Sequence, residues 1–189
     1  MPDGHPSQPR PTERPESLRQ NIATKSKPKM KPYLFQPGLI PLLVSNPHSG
    51  TFIPPEIAET MTVAGNEKRD TDWFLARLYD FPVLKRAAVL KSNLSRYVID
   101  LNRPPSNKSL YPGQATTELC PRYSFDNDPI YHEGQQPDAA EVEKRIEHYW
   151  RPYHQQLSNE LNRLVDRFGF VMMLDVHSIA GKLPRLFEC

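Results

Sequence analysis

From about residue 33 onward the chain alternates short apolar runs with polar, turn-prone segments, which predicts strands interleaved with helices. Leu39–Val44 (LIPLLV) and Phe170–Leu174 (FVMML) are almost wholly apolar, as the buried strands of a parallel sheet are. Ala87–Lys91 (AAVLK) and Tyr97–Leu101 (YVIDL) predict two more strands, separated by the turn-prone Ser92-Asn93. Pro54-Pro55 opens a short helix over Glu56–Met61, because proline suits a first helical turn. Asp70-Thr71-Asp72 precedes Trp73, Phe74, Leu75, Leu78 and Tyr79, a helical spacing with acidic residues at its amino end. The longest helix runs from about Ala139 to Phe168. Val142, Ile146, Tyr149, Tyr153, Leu157, Leu161, Leu164 and Phe168 form one apolar stripe along it. Asp138 and Glu141 supply a cap, Gly169 fits the position after the last turn, and Pro152 predicts a kink. The fold class expected is α/β, a mixed or parallel sheet with flanking helices.

Between Asn102 and Pro137 no periodicity appears over about 36 residues. Tyr111, Tyr123, Phe125, Ile130 and Tyr131 give this stretch apolar anchors, so it is expected to pack as a loop covering the mouth of a site.

Composition changes the picture mainly at the amino end. Residues 1–32 hold seven prolines, seven Lys or Arg, three Asp or Glu and only five apolar residues, too few to offset the entropy of ordering. A disordered Pro-rich basic tail over 1–32 and one domain over 33–189 are the expected organisation. The tail carries +4 of a whole-chain charge of +2, leaving about −2 for the rest. The basicity therefore gives no reason to expect a nucleic-acid partner for the folded part. No apolar run suits a signal sequence or a membrane span, and two isolated cysteines, Cys120 and Cys189, make no disulfide framework. A cytoplasmic setting is expected.

Candidate chemistry sits at two strand ends. Pro47-His48-Ser49-Gly50 follows the first apolar run and Asp175-Val176-His177-Ser178 follows the last. Ligands of open α/β sheets collect at the carboxyl ends of strands, so two imidazoles delivered there suggest a metal site. Each residue also has a plainer role open to it. His48 suits a satisfied turn histidine, and Asp175 and His177, two apart on one face, suit an ion pair as well as a ligand backed by a carboxylate. Asp72 suits the start of a helix, Arg103 a loop charge and Arg96 a structural ion pair. Taken together, two imidazoles and a carboxylate suit zinc, although the same set accepts other divalent metals. An arginine beside them suits a substrate carboxylate.

Six segments in order resemble the N-formylglutamate amidohydrolase family. They are Pro47–Gly50, Asp70–Trp73, Ser95–Pro104, Leu110–Gln114, Tyr149–His154 and Asp175–Ser178. The resemblance implies a zinc-carboxypeptidase-like fold, a small-molecule substrate, and hydrolysis of N-formyl-L-glutamate to formate and L-glutamate in histidine degradation. It implies zinc held by two histidines and a carboxylate, here His48, His177 and Asp72, with Asp70 and Glu56 as the other carboxylates in play. It implies substrate held by Asn102 and Arg103, with Arg96 nearby. Two departures stand out. Thr51 occupies the position where the carboxypeptidase pattern has its carboxylate ligand, and the chain stops twelve residues past His177. The general-base glutamate is expected beyond residue 189, Glu188 being a poor stand-in, so a truncated and impaired domain is expected. A degenerate relative that binds acidic amino acids without turnover is the alternative. So is an interaction protein using the Pro6-Ser7-Gln8-Pro9 motif of the tail.

Overall fold

The computed structural model describes residues 30–81, 83–108 and 117–179. The architecture described here belongs to the unit Lys31–Cys189. The expected tail, the Leu110–Gln114 motif and Glu188 lie outside the described residues, apart from the tail's last three.

Four strands form one mixed sheet in the order β1-β3-β2-β4. They are β1 (Tyr33–Gln36), β2 (Leu42–Asn46), β3 (Ala88–Ser92) and β4 (Met172–Asp175). β1 runs antiparallel to β3, while β2 is parallel to both β3 and β4. Pro41 and Pro47 bracket β2, since neither can donate to a ladder. The chain leaves β2 to form β3 on one side and returns to form β4 on the other. The carboxyl ends of β2 and β4 therefore meet where the strand order reverses, the usual place for a ligand in such sheets. Ser45 lies opposite Asp175, so the two predicted histidines leave the sheet side by side.

Each sheet face has its own cover. On one face α3 (Leu75–Leu78) brings Leu75 against Val44, Ala87 and Val176. On the other, α5 (Arg151–Phe168) brings Leu164 onto Leu43 and Ala88, and the buried Tyr153 places its hydroxyl 3.2 Å from Ser45 Oγ. The expected long helix is a continuous run with a defect in it. α4 (Ala139–Arg145) is capped by Asp138, whose carboxylate accepts from Glu141 N–H at 2.8 Å. A π-turn over Ile146–Trp150 then leads into α5, with Arg151 N–H donating to Ile146 O. Pro152 has no N–H to give and its ring crowds the carbonyl four residues back, so the wider turn takes the place of the predicted kink. Gly169, at φ 80°, ends α5.

Two expectations need correction. Tyr97–Leu101 is no strand but a run of buried turns. Its peptide groups are satisfied from outside any ladder: Tyr131 Oη–H donates to Tyr97 O at 3.0 Å, Arg145 to Val98 O at 3.0 Å, and Asp100 N–H donates to Leu119 O at 2.7 Å. β-Branched and aromatic content there reflects burial in the largest core cluster, which periodicity cannot distinguish from a strand. The helix after Asp72 is also shorter than expected. It begins at Leu75, because Phe74 adopts a left-handed conformation with φ 63°. Two short helices precede it, α1 (Pro55–Ala58) and α2 (Val63–Glu67), the second capped by Thr62. No helix among the described residues is long and apolar enough to cross a membrane.

Candidate metal centre

Pro47 ends the β2 ladder and sends His48 past the strand end into the interior, where it is 3% exposed. The turn is held close to its neighbour. A Cβ on Gly50 would lie 2.3 Å from Leu94 O, so only glycine lets the His48 segment run this near Asn93-Leu94. His48 O in turn accepts from Asp72 N–H at 3.1 Å, which fixes the carboxylate segment to the histidine segment.

The two imidazoles come together, with ring centroids 5.0 Å apart. Each has a carboxylate on its Nε2: Asp100 Oδ1 at 2.7 Å for His48, and Asp175 Oδ2 at 3.1 Å for His177. A carboxylate only accepts, so both Nε2 atoms carry hydrogen and both Nδ1 atoms face the gap between the rings. Asp72 Oδ2 sits in that gap, 3.8 Å from His48 Nδ1 and 3.0 Å from His177 Nδ1. Donor atoms of His48, Asp72 and His177 all lie within 4.8 Å of one another, the one such group among the described residues.

Whether these residues fit a cation is tested by His48 Nδ1. It is buried and has no hydrogen-bond partner, a state that costs about 1–3 kcal/mol unless something meets the lone pair. Burial pushes the His48 pKa below its ordinary value, outweighing Asp100, so the ring is neutral at pH 7 and ready to ligate. His177 goes the other way. Its bonds to Asp175 and Asp72 push its pKa up to about 9 against desolvation, so in the metal-free geometry it donates from both nitrogens. Neutral imidazole, carboxylate and a proton that a cation can displace make a donor set suited to zinc or a similar divalent ion.

The other expected residues fall into two groups. Asn102 joins the centre, its side-chain amide lying 3.3 Å from His177 Nε2. Arg103 is tied in less directly: its Nε–H donates to Thr117 Oγ1 at 3.1 Å, and Thr117 in turn reaches Asp100 Oδ2 at 3.4 Å. Arg96 instead forms the buried ion pair the sequence allowed, with Nη2 on Asp100 Oδ2 at 2.6 Å and its guanidinium over the Phe125 ring. Asp70 accepts from Phe125 N–H at 2.8 Å, and Glu56 lies on the exposed face of α1, so neither joins the group with the histidines. Asp72 caps no helix, since α3 starts three residues later.

Asp100 was not singled out from the sequence. Burial favours its neutral form, but His48 and Arg96, with the bond from Asn102 N–H, hold it well below the usual carboxylate range. The signal was present in YVIDL: a carboxylate set among four apolar residues must be paired once buried.

Comparisons with known proteins identify the family and the fold. A sequence profile described as N-formylglutamate amidohydrolase matches residues 40–188. The chain is 42% identical over 154 residues to an N-formylglutamate deformylase of Pseudomonas aeruginosa, covering 82% of this chain and 58% of that protein. It is 41% identical over 154 residues to one of Pseudomonas putida, covering 82% and 57%. The chain thus spans well under two thirds of the length of the curated relatives it matches. A crystal structure of N-formylglutamate amidohydrolase from Ralstonia eutropha superposes with a TM-score of 0.62 at 29% identity, covering 79% of this chain and 58% of that one. A gene product of Agrobacterium tumefaciens shares the fold with a TM-score of 0.60 at 21% identity, covering 79% and 57%.

Proposed function

The chain belongs to the N-formylglutamate amidohydrolase family, and from that premise we propose that its site serves metal-dependent hydrolysis of N-formyl-L-glutamate to formate and L-glutamate. The observation that carries the reading is the orphaned His48 Nδ1, aimed at Asp72 and His177. In this reading His48, Asp72 and His177 hold zinc or another divalent ion. Such an ion supplies Lewis acidity toward the formyl carbonyl and lowers the pKa of water bound to it. The protein's own residues orient and charge the site. Asp100 and Asp175 fix both rings with Nδ1 inward and raise their basicity as ligands. Asn102 and Arg103 take a substrate carboxylate, setting the amide against the centre. Arg96 keeps Asp100 ionised rather than touching substrate. The parallel β2–β4 pair with histidines at its carboxyl end supports a zinc-carboxypeptidase-like assignment for the fold.

Formate release from N-formyl-L-glutamate by zinc-loaded chain, abolished by chelation and restored by zinc, is the expected result. Asp72→Ala is expected to lower zinc content below stoichiometric while the chain stays folded by circular dichroism. Full metal content in that variant overturns the ligand assignment. Tight binding of N-formyl-L-glutamate without formate release assigns the chain to binding rather than turnover.

A further inference from the structure

Trp150 and His154 lie at the junction of the π-turn and α5, one helical turn apart, and the site described above does not use them. Their rings stack with centroids 3.8 Å apart and planes 26° from parallel. Both reach across to the segment that carries Asn102 and Arg103. Trp150 Nε1–H donates to Arg103 O at 2.9 Å, and His154 Nε2–H donates to Leu101 O at 2.9 Å. Between those carbonyls, Asn102 N–H donates to Asp100 Oδ1 at 2.9 Å. Three successive residues without a ladder are thus fixed one by one, and the middle one places its amide against His177.

The geometry has a cause in the sequence. Pro152 imposes the π-turn, and such turns recur at functional sites in helices. Tyr153, buried between the two rings in sequence, places its hydroxyl near Ser45 Oγ and donates to Leu90 O at 3.4 Å. The ring pair is therefore referenced to β2, the strand that leads into His48. Loops without regular structure need such support if they are to present polar groups within a fraction of an ångström.

We propose that the stacked Trp150–His154 pair is a positioning device that holds the Asn102–Arg103 backbone in the orientation that receives the carboxylate end of an N-acyl acidic amino acid. The ligand part rests on the amidohydrolase reading above. The pair acts through the loop backbone, with its hydrogen bonds ending on carbonyl groups rather than on the metal donors.

The test uses the full zinc-loaded chain and three substitutions. Trp150→Phe keeps a stacking ring and removes the donor; His154→Leu removes ring and donor; His154→Gln restores a donor. Zinc content, amide hydrogen exchange and titration with L-glutamate and N-formyl-L-glutamate are measured for each. Trp150→Phe is expected to speed exchange at Asn102 and Arg103 and to weaken ligand binding, each about tenfold, with zinc stoichiometry and exchange in β3 unchanged. His154→Leu is expected to lose more, and His154→Gln to recover part of it. Unchanged exchange at Asn102 and Arg103, or a uniform rise across the chain, overturns the proposal in favour of a packing role. An unaltered chain that binds neither compound overturns the amidohydrolase reading and the ligand assigned to the loop. In that case the exchange data still support or overturn the clamp by themselves.

Discussion

His48 and His177 sit 5.0 Å apart yet differ in charge, the first held neutral by burial and the second protonated between Asp175 and Asp72. Asp100 fixes the orientation of the first, although its charge alone would favour the protonated ring. It accepts from His48, Arg96 and Asn102 N–H together, so one carboxylate fixes a tautomer, neutralises a buried guanidinium and shapes the loop beside it. Asp100→Asn keeps the shape while removing the charge and one of the two acceptor oxygens, so that either His48 or Arg96 faces an NH2 group in place of an oxygen. Zinc affinity is expected to fall about 10- to 100-fold, read by competition with a chelating dye. Asp175→Asn is expected to cost less, because Asp175 is partly exposed and water can replace it. At this scale the sequence was partly legible. His48, His177 and the Asp175–His177 pairing follow from residue type and spacing at strand ends, whereas Asp72 is only one of three carboxylates that the family resemblance leaves in play. Asp100 and Arg96 did not declare their partnership, because it depends on a buried turn that reads as a strand.

Elements show the same division between what is periodic and what is not. The Ala139–Phe168 stripe locates α4 and α5 because their burial repeats at helical spacing, and β2, β3 and β4 fall within a few residues of the apolar runs. β1 (YLFQ) is apolar but only four residues long, and α2 (VAGNE) has only Val63 and Ala64 as apolar residues, so neither registers as a periodic run; each is fixed by neighbours, β1 by β3 and α2 by the Thr62 cap. A further tie between elements comes from Glu160 on α5. Its carboxylate accepts from Gly38 N–H at 3.0 Å and from Arg163, binding the turn before β2 to the helix. Burial favours its neutral form, but the bonds from Arg163 and Gly38 hold its pKa below the ordinary value. The stabilisation is therefore fully present above about pH 4.5 and is lost as pH falls through the lower folded-state value. Glu160→Gln is expected to lower stability by about 1–2 kcal/mol at pH 7, discounted for the exposed Arg163, with the gap to the unaltered chain narrowing in urea titrations as pH falls below the ordinary glutamate value of 4.5.

Across the whole molecule apolar surface is unevenly covered. Phe170 is 60% exposed and Met172 64%, with Met173 and Leu174 also open along β4 at the end of the sheet order. Trp73, Phe74, Leu78, Phe81 and Val83 are exposed around α3. An apolar strand that is outermost among the described residues invites pairing with another chain. Met172→Lys is expected to reduce concentration-dependent light scattering while leaving zinc content unchanged. The architecture has a mechanical consequence as well. Among the described residues β4 is fastened to the sheet along one side only, by its ladder to β2, and the two imidazoles stand just beyond the last rung of that ladder. An ion shared between them is a clasp across the same two strands, closing the seam at its open end. Zinc loading is accordingly expected to slow amide exchange in Met172–Asp175 far more than in β3, whose neighbours already secure it on both sides.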